Sequence, residues 1–169
     1  EWTRMGIRAL LCNPENLVWN GREMRVFGER IDVVYRFFPA EWMTSVDNLE
    51  AILSAARSGG LDVVNGFSSV VAQSKKTMAL WHERPELFDA EERRLVLNHV
   101  PRTESFRVAE LERYRRERER LVVKRQFGRI GEEVLMGIHC GAEEWADWLG
   151  WPASEPDQWI VQDRFENLP

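Results

Sequence analysis

The segment SVDNLEAILSAARSGGLDVVN, residues 45–65, limits the possible folds more than any other. Leu49, Ile52, Leu53 and Ala56 recur at helical spacing and mark one apolar face. Ser45 or Asp47 is placed to cap the start. Gly59 and Gly60 stop the helix, because glycine takes up the left-handed backbone that closes a C-terminus without steric penalty. The next residues, LDVVN, form a short buried strand. A helix running directly into a buried strand is an α/β arrangement.

The remaining pattern alternates in the same way. IRALLC (7–12) reads as a strand or buried apolar run, broken by NPEN. LVWNGREMRVFG (17–28) reads as two short strands about an Asn20-Gly21 turn, a favoured hairpin connection. RIDVVYRFF (30–38) is a strand rich in β-branched and aromatic residues, ended by Pro39. VVAQSKKTMALWHE (70–83) reads as a helix. A second helix begins after Asp89, with Glu92 completing a capping box, and stops at Pro101. FRVAELERYRRERERL (106–121) is a charged helix with a Val108, Leu111, Tyr114 stripe. LVVKR (121–125) and EEVLMGI (132–138) read as paired strands. GAEEWADWLG (141–150) is a helix, PASEP a loop, and WIVQDRF (159–165) the last strand. A boundary near residues 101–106 divides the chain into lobes 1–103 and 104–169.

Composition narrows the function classes. The formal net charge is -5, so no global positive field draws in nucleic acid or an anionic membrane. The locally basic RYRRERERLVVKR is interrupted by glutamates. No apolar run approaches transmembrane length. Cys12 and Cys140 are too few for a disulfide scaffold, and a reducing, cytoplasmic setting is the default. His82, His99 and His139 show no metal spacing.

VVKRQFGRIGEEV (122–134) carries the candidate chemistry. A lysine ending an apolar strand has its stem held while its ammonium reaches out. A glycine-bearing loop lets backbone N–H groups approach phosphate oxygens. Lys124 with Gly128 and Gly131 has the residues to grip a phosphate, although the same pattern also suits an ordinary hairpin with a permissive turn. Neither GxxxxGK[ST] nor GxGxxG is present.

The order of VVKRQFGRIGEEV, a helix and WIVQDRF resembles the nucleotide-binding lobe of an ATP-grasp enzyme. Upstream, IDVVYRFFPAEWM (31–43), DVVNGFSSVVAQSKKTMALW (62–81) and VPRT (100–103) resemble the glutathionylspermidine-synthase-like, circularly permuted ATP-grasp proteins. The resemblance implies a partial ATP-grasp-like fold, with small mixed sheets and packed helices in two lobes. The first lobe would bear a lysine and the second would bind nucleotide under a glycine-rich loop. It also implies an ATP-dependent carboxylate–amine ligase working through an acyl phosphate, on small-molecule or peptide carboxylates and amines. Lys75 and Lys124 would meet the nucleotide, with Gly128, Arg129 and Gly131 forming the loop over the phosphates. Gln162, Asp163 and Arg164 would lie beside the adenine, Asn65 would open the lysine-bearing segment, and Arg36 would face phosphate or substrate. An ion pair of Arg36 with Glu41 is the rival reading of that arginine. ATP and Mg²⁺ are the implied cofactors. Nothing in residues 1–30 matches the family's metal acids, so the magnesium ligands are expected outside this chain. The expectation is therefore an internal fragment, missing the remainder of its polypeptide and inactive alone. The alternative is a non-catalytic nucleotide-binding or protein-interaction domain with a degenerate ATP-grasp fold.

Overall fold

The computed structural model describes residues 2–166. The chain divides into two compact units between Val70 and Val71, within a short helix.

The first unit begins with three short antiparallel strands, β1 (Leu17–Trp19), β2 (Met24–Val26) and β3 (Glu29–Ile31), in that order across the sheet. The expected hairpin forms. The Asn20 side chain accepts from the N–H groups of Arg22 and Glu23, both at 2.9 Å, and Gly21 takes φ +91. Residues 30–38 do not make one strand. The chain bends at Asp32, and β4 (Val33–Tyr35) leaves the antiparallel sheet to pair in parallel with β5 (Asp62–Val64). Parallel neighbours need a crossover, and helix α1 (Leu49–Arg57) supplies it. The core of this unit joins Met24 and Val26 from β2 to Ile52 and Ala55 from α1 and to Leu61.

Two local expectations change here. Asn48, not Ser45 or Asp47, precedes α1, and its amide donates to the carbonyls of Pro14 (2.8 Å) and Leu17 (2.6 Å). The start of α1 is thus tethered to β1 rather than capped. Residues 7–12 form no strand, and Ile7, Leu10 and Leu11 are exposed.

In the second unit, helix α2 (Ser69–Gln73), which straddles the division, is separated from α3 (Lys76–Glu83) by a break at Ser74 and Lys75. Helix α4 (Ala90–His99) is capped as its sequence suggests. Asp89 accepts from the N–H groups of Glu91 and Glu92, and Glu92 reaches back to the Asp89 N–H at 2.9 Å. Strand β6 (Thr103–Ser105) follows, so the boundary expected between residues 103 and 104 falls inside a strand of this unit. The charged stretch 106–121 is not one helix, because 3₁₀ turns flank a short α5 (Leu111–Arg116). Strands β7 (Leu121–Arg125) and β8 (Val134–Met136) pair antiparallel, as expected. Helices α6 (Ala142–Trp148) and α7 (Gly150–Ser154) come next, and α7 takes up the first half of the expected PASEP loop. The last strand is β9 (Trp159–Asp163).

The sheet order is β6-β9-β7-β8, with every neighbouring pair antiparallel. Alternation along the strands gives the sheet two distinct faces. One carries Leu121, Val123, Trp159 and Val161 into a core with Tyr114 and Trp145. Trp145 Nε1 donates to the Tyr114 carbonyl at 3.0 Å, which fixes α6 against α5. The opposite face carries Thr103, Lys124, Ile160 and Gln162, and α3 lies against it.

At Gly137 a β-carbon would run into the Arg118 carbonyl, a backbone atom with little freedom to move. Gly137→Ala is therefore expected to destabilise the second unit by about 1–3 kcal/mol, the usual cost of overpacking. Urea unfolding followed by tryptophan fluorescence measures this, and an unchanged midpoint refutes the close packing.

Candidate functional site

The site grows from the register of two strands. Gln162 on β9 stands directly opposite Thr103 on β6 and Val122 on β7, so Lys124, two residues along β7, is its diagonal neighbour on the same face. Lys124 Nζ donates to Gln162 Oε1 at 2.7 Å. Gln162 Nε2 donates to Thr103 Oγ1 at 2.8 Å and faces Met78 Sδ of α3 at 3.9 Å. Lys124 is half-buried and is held by a neutral amide oxygen. Burial pushes its ammonium below the usual lysine value, and the positive charge of Lys75 pushes it in the same direction.

Lys75 is brought in by the break before α3. Its N–H donates to the Gln126 carbonyl at 3.0 Å, and its Nζ donates to the Gly128 carbonyl at 2.6 Å. Gln126 is itself fastened to Gln158 through backbone (2.8 Å) and side chain (2.7 Å). The lysine therefore docks onto the root of the β7–β8 loop, residues 126–133.

The base of that loop is anchored and its tip is open. The Arg125 N–H donates to the Glu133 carbonyl at 3.1 Å, and its guanidinium pairs with Glu133 (2.9 Å) and Glu155 (3.1 Å). A β-carbon at Gly128 would sit 3.0 Å from the Glu132 carbonyl, so glycine lets the loop cross itself closely. Gly131 takes φ +80 at the exposed tip, beside exposed Arg129 and an Ile130 that is 96% exposed.

Asp163 and Arg164 leave the end of β9 with their N–H groups engaged. That of Asp163 donates to the Arg102 carbonyl at 2.8 Å and that of Arg164 to the Arg120 carbonyl at 2.7 Å. The Arg164 side chain pairs with Glu166 at 2.5 Å.

Arg36 and Asn65 belong to the first unit and are bonded to each other. Arg36 is 6% exposed. Its guanidinium donates to the carbonyls of Asn65 (2.8 Å), Phe38 and Gly66 (3.3 Å) and to Ser69 Oγ (2.6 Å). Asn65 sits at φ +61 and donates its amide to the Arg36 carbonyl at 3.2 Å. Asparagine tolerates this left-handed backbone better than most residues. The arrangement makes Arg36 a strut that pins the turn after β5 to the end of β4.

The chain has twenty arginines but only three lysines, Lys75, Lys76 and Lys124. Two of the three lie close enough for their charges to act on one another. Lysine is a compact point charge and arginine a planar fork, so the two are not interchangeable at these positions. That imbalance is a signal readable from sequence. Thr103, Gln126 and Met78, which hold the cluster, lie in segments that the motifs mark, but their residue types alone do not single them out.

Two cations beside a glycine-bearing loop suit the oxygens of a polyphosphate. Magnesium is a different matter. Among the described residues no group of three His, Cys, Asp or Glu side chains is placed to hold a metal ion. Among the described residues no helix is long and apolar enough to cross a membrane.

Residues 5–167 match the family described as circularly permuted ATP-grasp type 2, and the α/β architecture with mixed sheets and packed helices accords with an ATP-grasp-type domain. No curated protein matches the chain.

With three lysines in the chain, their side-chain carbons can be followed individually by NMR through an alkaline titration. Lys124 is expected to titrate below the ordinary lysine range, and Lys75→Met to move its midpoint upward by removing the neighbouring positive charge. Because the folded-state value is depressed, the charged form opposes folding. Stability from this group is recovered as pH rises from the depressed folded value to the ordinary one. An unshifted Lys124 midpoint in Lys75→Met would contradict the coupling.

Proposed function

Since the chain belongs to the circularly permuted ATP-grasp type 2 family, we propose that it is the nucleotide-holding part of an ATP-dependent carboxylate–amine ligase. In such a reaction ATP phosphorylates a carboxylate, an amine attacks the acyl phosphate, and ADP and phosphate leave. The observation that carries the reading is that Lys75 docks on the Gly128 carbonyl of the loop and its charge acts on Lys124, which is itself held by a neutral oxygen. Both positive charges face a common anion better than they face each other. On this reading the two ammonium groups bind phosphate oxygens, and Gly128, Arg129 and Gly131 cover them. Preorganised cations of this kind stabilise charge developing during phosphoryl transfer.

Gln162, Asp163 and Arg164 border the adenine in this proposal. A base taking the N–H of residue 163 or 164 must displace the Arg102 or Arg120 carbonyl that now holds it. In this proposal Asn65 and Arg36 act by holding the first unit together, through the bonds that join the end of β4 to the turn after β5. Magnesium enters the proposal only as the partner of ATP in such a reaction. The narrower likeness to glutathionylspermidine-synthase-like proteins, a small-molecule or peptide carboxylate and amine as substrates, and a cytoplasmic setting belong to the same proposal. The likeness and the substrates rest on the motif order of residues 31–43, 62–81 and 100–103, and the setting on the two cysteines, too few for a disulfide scaffold.

Calorimetric titration with ATP tests the reading on three proteins. Lys124→Ala is expected to weaken binding about ten- to a hundredfold, the loss of one charge-assisted hydrogen bond. Arg36→Ala is expected to leave affinity unchanged and to lower stability by about 2–3 kcal/mol, because several buried acceptors lose their donor. Equal affinity for ATP in wild type and Lys124→Ala would sink the phosphate assignment. A selective loss of affinity in Arg36→Ala would return Arg36 to the site.

A further inference from the structure

The hydrogen bonds behind Lys124 run in one direction, and the direction is set at a proline carbonyl. The Pro101 carbonyl can only accept, so the Thr103 hydroxyl, 2.8 Å away, gives it the single proton it has. Thr103 Oγ1 must then meet the Gln162 amide as an acceptor, and at 2.8 Å it takes an N–H from Nε2. The other N–H of that nitrogen faces Met78 Sδ at 3.9 Å, a weak acceptor. Both faces of the amide nitrogen are thereby assigned. Oε1 is left to point the opposite way, where it lies 2.7 Å from Lys124 Nζ, a group with protons to give and no lone pair to offer. Thr103 is 0% and Gln162 3% exposed, so bulk water does not supply substitute partners.

We propose that Thr103 is a positioning residue: its hydroxyl, tied to the Pro101 carbonyl, fixes the Gln162 amide so that a neutral oxygen aims and holds the Lys124 ammonium. An amide turned by half a rotation would present N–H groups to that ammonium and repel it. A carboxylate in place of the amide would need no orientation, but it would cancel one of the two positive charges of the cluster. Threonine, glutamine and lysine on three adjacent strands thus hold a cation still without neutralising it. The consequence for nucleotide binding rests on the phosphate reading above, whereas the orientation of the amide does not.

The test compares wild type, Thr103→Val, Thr103→Ser and Gln162→Glu, and the double variant Thr103→Val with Gln162→Glu. Folding is checked by near-ultraviolet circular dichroism. Two quantities are read: the Lys124 titration midpoint by NMR and the affinity for ATP by calorimetry. Thr103→Val keeps the shape of the side chain and removes the proton that sets the direction. It is expected to lower the Lys124 midpoint and to weaken ATP binding about fivefold, the size of one net hydrogen bond. Thr103→Ser is expected to restore both. In the Gln162→Glu background, where either end of the side chain offers oxygen, Thr103→Val is expected to leave the midpoint where Gln162→Glu alone puts it.

A folded Thr103→Val with wild-type midpoint and affinity overturns the proposal. So does an equal midpoint shift in both backgrounds, since that effect would come from packing rather than orientation. Should Thr103→Val fail to fold, Thr103→Ala takes its place in both backgrounds with the same criteria. If the midpoint falls as expected while wild type, Thr103→Val and Lys124→Ala all bind ATP equally, the positioning role stands and the nucleotide reading fails.

Discussion

The register of β9 is the constraint on which the second unit depends. This strand pairs on both edges, with β6 and with β7, and its side chains alternate between two unlike environments. Trp159 and Val161 complete an apolar core, while Ile160 and Gln162 turn the other way. A slip of one residue would drive Gln162 into the core and expel a tryptophan, so the apolar face locks the polar one. The placement of Lys124, Gln162 and Thr103 is in this sense a by-product of packing on the far side of the sheet. The hydrogen bonds then act on groups already brought within reach. Directionality comes from chemistry that offers no choice, a carbonyl that only accepts and an ammonium that only donates.

Elements with a strong local signal were legible in the sequence. The Asn20-Gly21 hairpin, the Asp89 cap, the Gly59 stop, the β7–β8 pair and β9 all follow from turn chemistry, capping chemistry or β-branched runs. What was not legible depended on partners distant in sequence. Strand β6 has three residues, with a threonine and two polar neighbours, and is a strand only because β9 needs an edge partner. Residues 30–38 look like one strand because β-branched and aromatic residues dominate the run, although Asp32 interrupts it. The switch of sheets at Asp32 is set by where β2 and β5 lie. The charged stretch 106–121 has good helix formers, yet Phe106 and Leu121 must both reach one core, and a continuous helix is replaced by shorter turns. The apolar run 7–12 shows the reverse case, hydrophobic residues with no strand partner among the described residues and no strand formed.

The candidate site was legible in part for the same reason. Lys124 stood out because it ends an apolar strand before a glycine-bearing loop, and the structure joins it electrostatically to Lys75. Thr103 and Gln126 lie in segments the sequence already marked, VPRT and VVKRQFGRIGEEV, but their partners do not show there, since each works through a residue tens of positions away. Arg36 drew attention as a basic residue after a strand. A buried guanidinium satisfied by backbone carbonyls looks the same in sequence as one awaiting a ligand.

Lys124 also separates two pressures on a sequence. Burial and a neighbouring cation disfavour its charged form, yet the same ammonium supplies the proton that Gln162 Oε1 accepts. In a chain with twenty arginines and three lysines, Lys124 thus keeps a charge that its surroundings both oppose and use.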